Sequence, residues 1–224
     1  MAINTETINA ETHIMTPSIT SPPAPSHSPG DSENALHTLL NEHAALRAML
    51  RSVLLMLERG PGDEPERFFD VLRAMLFYID EFPEKLHHPK ESKLLFPRVA
   101  RLAPEVASTI SQLERDHARG EGLIHSLQHA LLAWEMLGEC RMNAFAESAR
   151  AYVGFYLEHM RIEETVVLPA AQRVLAQADW TELNAAFAAN RDPFANANHL
   201  DPTYDRLFTK IVTNAPAPIG VGRS

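Results

Sequence analysis

The chain has 224 residues, 45 % of them hydrophobic and 22 % charged, enough for one domain with a sizeable core or for two small ones. A net charge of −9 leaves no basic face for nucleic acid, and a single cysteine, Cys140, excludes an internal disulfide and any cysteine-built zinc or iron–sulfur site. No apolar run approaches the ~20 residues needed to cross a bilayer, and the opening MAINTETINAETHIM has neither the basic nor the apolar stretch of a leader, so a reducing, cytoplasmic setting is expected.

Residues 1–30 are rich in Ser, Thr and Pro and carry no helical or strand period, which predicts a disordered arm. From Asp31 the pattern changes. Leu36, Leu39, His43, Leu46, Leu50, Val53 and Leu57 recur at spacings of three and four, the stripe of a helix packed in a bundle, with one histidine inside the stripe. PGDEP at 61–65 breaks this helix. A second is predicted from near Glu64, with Phe68, Leu72, Met75, Ile79, Phe82 and Leu86 on one face. Pro83 and Pro89 each remove a backbone donor, and the pattern on either side predicts a kink rather than an end.

A third helix is predicted from Pro104, its stripe reading Ile110, Leu113, His117, Gly120, Ile124, Leu127, Leu131 and Trp134. After a loop near 138–143 the fourth carries Phe145, Tyr152, Phe155, His159, Ile162 and Val166, with Pro169 expected to kink or shorten its last turns. Two shorter helices follow. Asp179 with Glu182 reads as the capping box of one, and Asp201 before Pro202 opens the other, through about Thr213. The expected architecture is all-α: an up-down-up-down four-helix bundle over 31–176, with a C-terminal helical extension and tail over 177–224.

Two stretches carry the chemistry, HHPKESKLLFP at 87–97 and HMRIEETVVLP at 159–169. In each a histidine is followed four residues later by a glutamate, His87 with Glu91 and His159 with Glu163. Four helical residues turn a side chain by about 400°, which leaves the pair on one face about 6 Å apart along the axis. Antiparallel packing would bring both pairs to the level of His43 and His117. Two buried carboxylates without a counter-charge would cost several kcal/mol each, and a dinuclear cation supplies the charge. The competing reading is an apolar helical core with exposed glutamates. Nitrogen and oxygen donors without thiolate favour iron, or manganese, over structural zinc, and vacant positions would suit O₂, NO or peroxide.

These motifs, with EHAALR at 42–47 and ERDH at 114–117, resemble those of the hemerythrin-like (HHE cation-binding) family over about residues 32–176. The resemblance implies a four-helix bundle holding two non-haem iron ions bridged by the two glutamates and an oxo or hydroxo group, with His43, His87, Glu91, His117, His159 and Glu163 as the metal ligands. It departs from the family's oxygen carriers at Glu121, where they have a second histidine, and at Glu163, where they have an aspartate one residue later. The expected role is binding of O₂ or a related diatomic for storage, delivery or sensing. The alternatives are an enzyme acting on NO or peroxide or donating iron for cluster repair, and an iron- or redox-responsive interaction module with a protein partner. Glu121, Tyr156 and Glu114 are secondary candidates: a seventh ligand, a hydrogen-bond partner of the site, and the residue orienting His117. His88, about 100° round from His87, is expected to face solvent, as are His125 and His129. His37 is expected not to be a ligand, and Trp134 and Trp180 are read as packing residues.

Overall fold

The structure, a computed structural model, describes residues 30–195 and 201–222. The expected arm falls almost wholly outside them. Among the described residues there are six helices and no strand: α1 (Gly30–Arg59), α2 (65–102), α3 (Ala107–Leu137), α4 (142–174), α5 (Gln177–Ala188) and α6 (Asp205–Asn214). Among the described residues no helix is long and apolar enough to cross a membrane.

Two of these rods are helical throughout but not uniformly wound. In α2 the α-helical Pro65–Ile79 passes into widened π turns at Asp80–His87, one α turn at His88–Lys90, a second π stretch at Glu91–Leu95, and α-helix again at Phe96–Leu102. In α4 the π stretch is Glu163–Val167, between Met142–Ile162 and Leu168–Val174. Proline accounts for all three. A proline ring crowds the carbonyl four residues back and offers it no N–H, and opening the turn relieves that crowding without ending the helix. Pro83 lies within the first stretch, which ends two residues before Pro89; the other two end two residues before Pro97 and Pro169. The winding stays α-helical between His87 and Glu91 and between His159 and Glu163, so each pair keeps the register that aims both side chains one way.

α1 lies against α2 and α4, and α3 lies against the same two. The core falls into two apolar clusters. One is built on Leu46–Met56 of α1, Phe68–Phe82, Ile124–Trp134 and Phe145–Met160. The other joins Ala35, Leu39, Leu95–Val99, Val106–Leu113 and Val167–Ala171 to Trp180, Leu183 and Phe187 of α5. His43, His87, Glu91, His117 and Glu163 occupy the band between the two, walled from water at both ends.

The buried face of α3 matches the predicted stripe residue for residue. That of α4 does not: Phe155, Ile162 and Val166 are half-buried, and Ala149, Tyr156 and Val167 take the centre. Phe155 and Ile162 lie in regular α-helix, where Tyr156 and Glu163, one residue on, take the inward face; only the shift from Val166 to Val167 follows from the widened turn at Glu163–Val167, which a uniform 3.6-residue period cannot anticipate. Asp179 is not the cap of α5. The helix begins at Gln177, and Asp179 reaches back to accept from the N–H of Ala176 at 3.0 Å. Asp201 does open the last helical segment, accepting from the N–H of Thr203 at 2.9 Å. The tail is strapped down on α1: the Ser52 hydroxyl donates to the carbonyl of Pro216 at 2.9 Å and accepts from the N–H of Ile219 at 3.2 Å.

Candidate metal centre

All six candidate ligands come together, one histidine from each long rod and one glutamate from each of α2 and α4. All six are buried, Glu91 and Glu163 completely. The histidines meet in two pairs. Nε2 of His43 lies 3.2 Å from Nε2 of His87, and Nε2 of His117 lies 3.2 Å from Nε2 of His159. Two donors at about 2.1 Å from one ion, at right angles, are about 3 Å apart, so each pair is spaced for one cation.

The carboxylates sit between the pairs. One oxygen of Glu91 is 2.8 Å from His87 Nε2 and 3.9 Å from His43 Nε2, while the other is 3.3 Å from His117 Nε2. Oε2 of Glu163 lies 3.5 Å from His43 Nε2 and 4.0 Å from His159 Nε2. None of these approaches has hydrogen-bond geometry: both oxygens of both glutamates, with Nδ1 of His159, are buried without a hydrogen-bond partner. Buried carboxylate oxygens without partners are costly, and a cation between the nitrogen pairs would satisfy all four. The donor set fits the metal that the sequence implies. Among the described residues, His43–His87–Glu91 and His88–Glu91–His117–His159 each gather their donor atoms closely enough to hold an ion.

The electrostatics tell the same story. Burial lowers the pKa of His43, and burial followed by the neighbouring His117 takes that of His159 down to about 3. At His87 the burial effect is outweighed by Glu91 and Glu42, and the ring's pKa lies well above its ordinary value. Burial and then the charge of Glu91 push Glu163 well up, whereas at Glu91 the opposing burial is outweighed by His87 and His117, which hold it low.

Three of the four rings are also gripped from outside. His43 Nδ1 is 2.8 Å from Glu164 Oε1, His87 Nδ1 is 2.6 Å from Glu42 Oε2, and His117 Nδ1 is 2.9 Å from the Ser92 hydroxyl. The group nearest His159 Nδ1 is Asp116, at 3.8 Å. These outer groups follow a rule that the sequence reading missed. Each is the chain neighbour of a candidate ligand and reaches the histidine of another rod: Glu42 of α1 serves α2, Ser92 of α2 serves α3, Asp116 of α3 faces α4, and Glu164 of α4 serves α1. A residue 100° round a helix from an inward-facing one points at the flank of the adjacent helix. The signal was a polar residue beside each candidate ligand.

The secondary expectations divide. Glu121 and Glu114 are exposed, and the partner of His117 is Ser92 rather than Glu114. His37, His125 and His129 are exposed, while Trp134 and Trp180 are buried packing residues. Tyr156 donates at 2.5 Å to Glu84, as Tyr152 does at 3.0 Å. His88 contradicts its expectation. It is 4 % exposed, its Nδ1 3.1 Å from Glu84 Oε2, and its ring lies nearly parallel to that of His117, centroids 4.3 Å apart. The 100° turn away from His87 points it not to water but toward α3, beside Tyr156 of α4.

The family description "Hemerythrin HHE cation binding domain" matches residues 34–171. The chain is similar to an uncharacterized protein of Mycobacterium bovis and to uncharacterized proteins of two Mycobacterium tuberculosis strains, each 24 % identical over 149 residues. That alignment covers 66 % of this chain and 58 % of the relatives, so the chain spans less than two thirds of their length. No solved structure gives a significant match. The family match takes in both His-x-x-x-Glu pairs together with His43 and His117, and the chain belongs to the hemerythrin HHE cation-binding family.

Proposed function

We propose that the chain is a non-haem di-iron protein that binds O₂ or a related diatomic, for storage, delivery or sensing, in an up-down-up-down bundle over 31–176. The observation that carries the reading is the pairing: two Nε2 pairs, each 3.2 Å across, with the two oxygens of Glu91 turned one toward each pair. His43 and His87 would hold one ion, His117 and His159 the other, and Glu91 and Glu163 would span both. Donors of nitrogen and oxygen without thiolate suit iron, with manganese as the second choice. Iron so held supplies reversible binding of small oxidising or π-accepting molecules. The chain's part is to set its rings through Glu42, Glu164 and Ser92, to exclude water with the two apolar clusters, and to leave coordination positions open. The unpaired Cys140 accords with a reducing, cytoplasmic setting.

A second reading, turnover of NO or peroxide at the same centre, draws support from Tyr156. This buried, oxidisable phenol has its ring centroid 5.7 Å from that of His159 and its hydroxyl on Glu84. Repeated consumption of NO or peroxide with an added electron donor separates it from simple binding.

Metal analysis of anaerobically purified protein, followed by optical spectra with O₂, NO and azide, tests the proposal. About two irons per chain and a near-ultraviolet band that comes and goes with oxygen are expected. His43→Ala, Glu91→Ala and Glu163→Ala should each lower the iron content. Full iron in all three would refute the ligand set.

A further inference from the structure

We infer that Tyr156 is a one-electron donor to this centre when peroxide is reduced there, with Glu84 taking the phenol's proton. The inference rests on the metal-centre reading above and gives its peroxide branch a residue. Tyr156 is fully buried on α4, and its ring meets that of His159 edge-on, centroids 5.7 Å apart. Its hydroxyl donates to Oε1 of Glu84 at 2.5 Å. An electron leaving the ring has one ring contact to cross, and the proton has one hydrogen bond.

The other phenols lack one part or the other. Tyr78 has a buried carboxylate of its own, Asp192 at 2.8 Å, but its ring meets Phe82 and Phe194. Tyr204 is half-buried and packs on Phe82. Tyr152 shares Glu84 with Tyr156, donating at 3.0 Å, and its ring lies against that of Tyr156, centroids 4.8 Å apart. Among the described residues only Tyr156 combines a buried base with ring contact to a candidate ligand. Gly120 keeps the space for its hydroxyl, since a Cβ there would lie 1.8 Å from that oxygen.

Taking an electron from a buried phenol leaves a positive charge in an apolar wall, a costly state unless the proton departs with it. Glu84 is placed to receive that proton. Its Oε1 accepts from both tyrosines and its Oε2 lies 3.1 Å from Nδ1 of His88, so the carboxylate is fixed through both oxygens. Burial raises its pKa from 4.5 to about 7, so near neutrality an ionised fraction can accept a proton and hold it. Reduction of one peroxide to two waters takes two electrons and two protons. Starting from one ferrous and one ferric ion, one electron comes from iron and the other from Tyr156. The phenol O–H bond breaks, an O–H bond forms on Glu84, a neutral phenoxyl radical remains, and the two protons for water come from solvent.

The test mixes the iron-loaded, half-reduced chain with hydrogen peroxide, freezes it rapidly and records the electron paramagnetic resonance spectrum. Wild type should give an organic radical whose splitting collapses when its tyrosines are ring-deuterated. Tyr156→Phe and Glu84→Gln should lose that signal while keeping their iron, and Tyr78→Phe should keep it. Circular dichroism of the metal-free chains is the control for folding. A deuterium-sensitive radical that persists in Tyr156→Phe would overturn the inference, as would an iron-replete wild type without one. If Tyr156→Phe does not fold, difluorotyrosine in place of Tyr156 alone decides the matter: fluorine splitting of the signal supports the inference, and an unsplit signal overturns it. A wild-type chain that takes up no iron refutes the underlying metal reading, a result distinct from an iron-replete chain without a tyrosine radical.

Discussion

The side-chain amide of Asn190 donates to both carboxylate oxygens of Glu42, at 2.9 and 3.0 Å, and Glu42 in turn lies 2.6 Å from Nδ1 of His87. The C-terminal extension, through the residues that follow α5, thus fixes a group that fixes a proposed ligand. Asn190→Ala should leave the helices intact and lower iron affinity by about tenfold, and Glu42→Gln by about 10- to 100-fold, because an unrestrained imidazole loses orientation and basicity. Competition against a coloured chelator measures both. Unchanged affinity in the two variants would show that the relay does not reach the metal.

Glu163 is fully buried, and neither of its oxygens has a hydrogen-bond partner. Its place in the centre therefore costs the metal-free fold. Glu163→Gln removes the potential charge while keeping the shape, and should raise the melting temperature of the chelated protein by about 2–4 °C for each kcal/mol recovered. The same variant should lose iron. A chelated variant that melts lower than chelated wild type would contradict this account.

Gly120 is where Tyr156 comes to rest. A Cβ built at this position would lie 1.8 Å from the Tyr156 hydroxyl oxygen and 2.8 Å from Cζ. Gly120→Ala must push the phenol off Glu84 and should destabilise by about 1–3 kcal/mol. Tyr156→Phe removes the atom responsible for the worst overlap, so the double variant should be less destabilised than the sum of the two singles. Urea denaturation of the four proteins closes the cycle, and strict additivity would show that the two residues do not meet.

Asp192 lies in the same C-terminal stretch as Asn190, 4 % exposed, accepting from the Tyr78 hydroxyl at 2.8 Å and from the N–H of Phe194 at 2.9 Å. Burial raises its pKa from 3.8 to about 6. Because the folded value is the higher, the folded chain holds this proton more tightly than the unfolded one. The stability it contributes is full below pH 3.8 and lost as pH rises through about 6. Between pH 5 and 7.5 wild type should therefore lose about 1.4 kcal/mol relative to Asp192→Asn. Chemical denaturation of the chelated pair across that range is the measurement, and parallel profiles would refute the assignment.

Much of this protein was written in its periodicity. The stripes of α1, α2 and α3 follow from apolar residues at three- and four-residue spacing, since burial acts locally on whichever face repeats. The two His-x-x-x-Glu pairs were legible for the same reason, because four residues in α register bring two side chains to one face. The end of α4 from Val166 escaped, since its widened turn is a response to Pro169 and shifts the face that follows, while at Phe155 and Ile162 the apolar spacing pointed one residue short of the buried Tyr156 and Glu163.

What the chain's pattern alone determined is therefore the set of rods and, for α1, α2 and α3, the face that turns inward. Only the tertiary structure decided which polar neighbour serves which histidine, because Glu42, Ser92 and Glu164 act across helix boundaries on residues 45, 25 and 121 positions away. It also decided the place of His88. A helix periodicity says how far a residue is turned from its neighbour, and whether that direction leads to water or to another helix depends on what is packed there.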